Sequence, residues 1–192
     1  MAKKATKELD PRFEVLKRLT VQQKDKLLLK LFRKDPMLVE KLAFEFFEDK
    51  SDLVNRRHDL KTQIETYVHE KYLPYDTPGE AMMVMRSMNG RITEHVKITK
   101  DKYGEVELTI LLLNTAFTRF WTMLEKKANR ADTFSEYVIK RTLHVLKVLE
   151  KLHEDNYLDF KDDLNQLLHY IHTYRPTIQL ARENKIPKEH EL

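Results

Sequence analysis

Apolar residues recur along most of this chain at spacings of three and four, the pattern of amphipathic helices. Asp10 followed by Pro11 reads as an N-cap with proline at the first helical position, where its missing N–H forfeits no bond, and a short helix to about Leu19 follows. Thr20 with Gln23 matches a capping box, and Leu27, Leu28, Leu31 and Phe32 form the stripe of a second helix ending near Arg33. Asp35-Pro36 repeats the cap-plus-proline start. Leu38, Val39, Leu42, Ala43, Phe46 and Phe47 then give a third helix an apolar face wide enough to predict a well-buried element.

Ser51 is placed to cap a longer fourth helix, with Leu53, Leu60, Ile64, Tyr67 and Val68 on one stripe and Arg57 sharing it. The segment YLPYDTPGE breaks the chain, and Thr77-Pro78-Gly79-Glu80 reads as the capping box of the next helix. Any hinge belongs here. Met85, Met88, Ile92, His95 and Thr99 share one helical face, although residues 91–110 also alternate in a way compatible with a hairpin turning at Lys102-Tyr103-Gly104. Two helices joined around Asp101–Gly104 are favoured, because no other segment supplies strands to extend a lone hairpin. Gly104 is then expected to end the first of them in the left-handed conformation.

The most apolar stretch, TILLLNTAFTRFWTML, contains Asn114 and Arg119 and is flanked by charges, so it predicts the central helix of a core (residues 105–128) and not a membrane span. Arg119 is expected to pair with a carboxylate or to reach the surface. Asp132 is read as the cap of a helix carrying Phe134, Tyr137, Val138, Val145, Val148, Leu149 and Leu152 inward. HEDNY interrupts the pattern. Tyr157, Phe160, Leu164, Leu167, Leu168 and Ile171 resume it until Arg175-Pro176, with a last turn or two over Ile178–Asn184.

The expected fold is therefore all-α: a single-domain helical bundle, or a short stack of antiparallel helix pairs, of about seven to eight helices. Residues 1–9 are expected as a disordered basic tail, 10–184 as the domain and 185–192 as a flexible C-terminal tail. A length of 192 residues suits one domain. With 3 glycines and 6 prolines there is little material for hairpins or glycine-cradled phosphates, and no Walker or dinucleotide-binding loop can be assembled. Cysteine is absent, which removes thiolate chemistry and fits a reducing compartment. No apolar run follows the first lysines, so a cytoplasmic address without a membrane anchor is expected.

Charge adds one asymmetry. The net charge is +4, yet the first 34 residues hold eleven basic against four acidic side chains. Lys17, Arg18, Lys24, Lys26, Lys30, Arg33 and Lys34 are the candidate contacts to a nucleic acid, set against the plainer reading of a solvated basic face. Arg56, Arg57, Arg86, Arg91 and Arg119 are candidates for an anion site if they converge. Met82, Met83, Met85 and Met88 read as core, with an adaptable binding surface as the alternative. Glu150 with His153, and His169 with His172, have ligand-like spacing, but a di-iron bundle needs Glu-x-x-His twice and only one copy is present. No nucleophile motif is found. No cofactor is expected.

The order of elements resembles a family of small bacterial all-helical proteins catalogued as a domain of unknown function. The likeness rests on the basic-leucine helix near the start, a helix closing in EKYLP, the central apolar helix and the pair around NYLDF, over residues 12–174. The chain departs from it in the long charged link Lys97–Glu107. No activity attaches to that family, so the resemblance implies the all-α fold and no site residues. Function is then expected to be that of a non-enzymatic protein-interaction module with a protein partner or a second copy. The alternatives are nucleic-acid association through the basic helices and, third, a His/carboxylate metal protein or enzyme.

Overall fold

The computed structural model describes residues 11–70 and 77–190, with side chains placed for 13–66 and 77–190. Among the described residues there are helices and no strands, so the hairpin alternative for 91–110 falls and the fold is all-α. Where one domain was expected over 10–184, chain contacts form two compact units, divided between Phe47 and Glu48. No helix is long and apolar enough to cross a membrane among the described residues.

The first unit holds α1 (Pro11–Lys17), α2 (Val21–Lys34) and α3 (Pro36–Phe47). Asp10, the expected cap of α1, lies outside the described residues, as do residues 1–9. Thr20 and Gln23 form the predicted reciprocal box at the start of α2, Gln23 N donating to Thr20 Oγ1 and Thr20 N to Gln23 Oε1. Asp35 closes α2, accepting from Leu38 N as α3 begins. The burial expected of α3 is not found. None of its residues is buried, and Phe46 and Phe47 are 67% and 86% exposed. A wide apolar face records what a helix is able to bury, whereas covering it takes neighbours that the described residues of this unit do not supply.

The second unit holds the core. Its elements are α4 (Lys50–Glu70), α5 (Pro78–Thr99), α6 (Lys102–Lys126), α7 (Asp132–Leu149), α8 (Tyr157–Thr173) and α9 (Arg175–Glu183). Short 3-10 turns lie at Ala128–Arg130 and Glu154–Asn156. α6 is the axis, packed by α4, α5, α7 and α8, while α9 closes against α7 and α8. Leu113, Ala116 and Phe117 in its middle have no exposed surface, so truncating a residue such as Leu113 to alanine costs about 2–5 kcal/mol. The central helix runs three residues earlier at its start than the 105–128 expected, because Asp101 caps it through Gly104 N.

Several local expectations shift by a residue or two. Asp49, not Ser51, caps α4, accepting from Ser51 N and Asp52 N, while Asp52 Oδ2 accepts from Asp49 N. Asp132 is the first residue of α7 and makes no side-chain cap bond. The capping box Thr77–Glu80 starts α5 as predicted, and Met85, Met88, Ile92, His95 and Thr99 are all buried, whereas Met83 is exposed. The break 71–76 before it lies outside the described residues.

Two corrections concern loops. The left-handed residue between α5 and α6 is Lys100 (φ 62°), not Gly104, which is helical. Glycine at 104 answers to space: a Cβ there would stand 2.2 Å from Asp101 Oδ2 and 3.1 Å from Arg57 Nε. The segment expected as a flexible tail is held along 185–190. Ile186 is buried and its N–H donates to Ala181 O, and His190 N donates to Asn165 Oδ1.

Candidate functional site

Around the axis, buried polar groups gather at the corner between α5 and α6. Asp101 is almost fully buried and receives the fork of Arg57 from α4, with Nε to Oδ2 at 2.5 Å and Nη2 to Oδ1 at 2.9 Å. His95 Nε2 lies 3.2 Å from Oδ2, and Gly104 N donates to Oδ1 at 2.9 Å. Burial works against the charged carboxylate, but hydrogen bonds from His95, Arg57 and Gly104, with the charge of Arg57, outweigh it and hold its pKa at about 2. The Arg57 guanidinium lies over the Tyr103 ring, 4.8 Å from its centroid, and the Tyr103 hydroxyl donates to Asp159 on α8. Both oxygens of Asp101 are engaged from within the protein, so this corner is a joint between helices.

The five arginines considered for an anion site have separate surroundings. Arg56 pairs with Glu48 and Arg57 with Asp101. Arg91 donates to Gln63, and Arg86 lies over the Tyr137 ring beside Arg141. Arg119 is exposed on α6, in keeping with the surface alternative for it. None of the five lines either of the cavities described below.

The histidines are likewise spent elsewhere. α7 ends at Leu149, so Glu150 and His153 do not share a helical face; His153 caps the turn Glu154–Asn156. His172 Nε2 donates to Pro187 O, and His169 is exposed with its ring toward Tyr170. Among the described residues no three His, Asp or Glu side chains gather as a metal-binding set.

Among the described residues of the second unit, two cavities bear on the polar groups. One of about 370 Å³ is lined by Glu65, Asn114, Thr118 and Asp163 on α4, α6 and α8. Asn114 Nδ2 donates to Asp163 O there, and its buried Oδ1 has no hydrogen-bond partner among the described residues. The other, of about 260 Å³, is lined by Lys102, His144, Lys147, Val148 and Lys151. Glu105 lies beside it, accepting from Lys102 Nζ at 2.6 Å and facing His144 Nε2 at 2.8 Å. Burial raises the pKa of Glu105, yet the hydrogen bonds and charges of Lys102 and His144 bring it below the usual carboxylate range. Sequence reasoning passed this group over. Its signal was present in the helical spacing of His144, Lys147 and Val148, while the contributions of Lys102 and of Lys151, past the end of α7, come only from the fold.

In the first unit, Lys17 pairs with Glu14, whereas Arg18, Lys24, Lys26, Lys30, Arg33 and Lys34 are exposed cations. All but Arg18 lie on α2, interspersed with Leu27, Leu28, Leu29 and Leu31, each more than a third exposed. No family model matches the chain, and neither does any curated protein or solved structure.

Proposed function

We propose that the protein is a non-enzymatic helical interaction module that engages an acidic protein partner through α1–α3. One observation carries this reading. α2 and α3 contain no buried residue, although Leu29, Leu31, Phe46 and Phe47 are large and apolar. Each such side chain taken fully from water contributes about 1.5–3 kcal/mol, so a covering partner has a strong thermodynamic reason to bind. Charge selects its character: α2 carries five basic residues against Asp25 alone, which disfavours a second copy of the same face and favours an acidic one. A cytoplasmic location and membership of the bacterial all-helical family that the order of elements resembles belong to the same proposal.

The test is a photo-crosslinking residue in place of Phe47 in the full chain, expressed in its own cells, combined with sedimentation of the purified protein. The expected result is a monomer when pure and one heterologous adduct of defined mass in cells, lost when Leu28 and Leu31 are both changed to Asp. An adduct with itself would replace the acidic partner by a second copy, and no adduct at all would end the reading.

Nucleic-acid association is the second reading, favoured by the run of exposed cations on α2. A filter-binding titration would then show affinity falling steeply with salt, and K24Q/K30Q/R33Q would remove it.

A further inference from the structure

The cavity between α6 and the end of α7 lies in the other unit and has a different chemistry. Lys102, Lys147 and Lys151 are three of the residues that line it. Glu105 offsets one of them, through Lys102. Lys147 and Lys151 are exposed and make no ion pair among the described residues. Lys147 lies in the last turn of α7 and Lys151 two residues past its end. One lysine would suffice to complement the negative end of the helix dipole. Two of them, lining one concave space together with Lys102 and Val148, give it an excess of positive charge.

We propose that this cavity binds a small phosphate-bearing anion, a phosphate monoester or pyrophosphate, between Lys102, Lys147 and Lys151. Lysine presents a compact point charge suited to a multiply charged, roughly spherical group, whereas a planar carboxylate is better matched by the fork of arginine, and no arginine lines this cavity. The volume of about 260 Å³ lies just under the usual range of about 300–1,000 Å³ for drug-sized ligands, which fits a phosphate with a small substituent and not a nucleotide chain. His144 is fixed by Glu105 through Nε2, leaving its ring at the wall as a reporter of occupancy.

The experiment is a titration of the full chain with inorganic phosphate and pyrophosphate at constant ionic strength, followed by the NMR signals of the His144 ring. Saturable shifts are expected, with pyrophosphate tighter, and K147Q/K151Q should weaken binding at least tenfold. K140Q, at an exposed lysine paired with Glu136 elsewhere on α7, should leave it unchanged. Should the double variant melt early, K151Q alone, beyond the last residue of α7, carries the same comparison. A 5′-phosphorylated oligonucleotide binding more tightly than pyrophosphate would overturn the small-ligand assignment. Linear shifts that equal amounts of chloride reproduce, or binding indifferent to K147Q/K151Q, would overturn the site altogether.

Discussion

Arg57 and Asp101, 44 positions apart in the chain, lock α4 to the α5–α6 corner through two hydrogen bonds of one guanidinium fork. Removing the arginine leaves the carboxylate buried with His95 and Gly104 N as its remaining donors. Arg57→Ala is expected to cost about 3 kcal/mol, the lower end for a broken buried pair, since Arg57 is itself partly exposed. Arg57→Lys should recover only part of this, because lysine has no fork. Urea unfolding of the two variants measures both.

Acid should weaken the same joint. The pKa of Asp101 is lowered in the fold from 3.8 to about 2, so its contribution is complete above the ordinary carboxylate range and disappears as pH falls from about 4 toward 2. At one pKa unit per about 1.4 kcal/mol, the amount at stake is about 2 kcal/mol. Asp101→Asn is expected to be less stable than the parent at pH 7, and the gap should narrow by that amount at pH 2, read by denaturant midpoints at each pH.

Two glycines in helices should respond oppositely to alanine. At Gly90 a Cβ meets nothing within 4 Å, so Gly90→Ala should stabilise by about 0.5–1 kcal/mol through the unfolded chain. At Gly104 the same methyl group would overlap the Asp101 carboxylate, and Gly104→Ala should destabilise by about 1–3 kcal/mol despite the helix propensity of alanine. Thermal melts of the pair give the two signs directly.

Tyr174 closes an aromatic cluster with Phe117, Trp121 and Phe134 and donates its hydroxyl to Leu124 O. Tyr174→Phe should cost about 1 kcal/mol for the hydrogen bond, and Tyr174→Ala about 3–5 kcal/mol for the cavity. Burial raises the pKa of the phenol to about 12, so the parent should lose stability between pH 10 and 12 while Tyr174→Phe loses less over that interval. Unfolding curves at pH 9 and 11 compare them.

Interactions within one helical turn were the most legible in the sequence. The boxes at Thr20 and Thr77 involve residues three apart and formed as read, and the buried stripe Met85–Thr99 followed from period alone. Where two oxygen-bearing residues compete for one cap, as Asp49 and Ser51 do, spacing cannot rank them; the carboxylate took the amides. The exposure of α3 was hidden because amphipathicity is a property of one helix and burial a property of several. Asp101 gave no signal as a centre, since its partners come from Arg57, His95 and Gly104 on three helices. The lysines of the cationic cavity were visible one by one, but their convergence on Lys102 required the corner.

Only Lys100 and Asp101 separate α5 from α6, so the core's central pairing joins neighbours in sequence. Such low contact order favours fast collapse, with little loop entropy lost before apolar contacts are gained. The α5–α6 corner should therefore already be assembled at the folding barrier. Substitutions at Met88 or Ile92 should slow refolding, whereas those at Ala181 or Ile186, in the last-added helix and its extension, should chiefly hasten unfolding in stopped-flow chevrons.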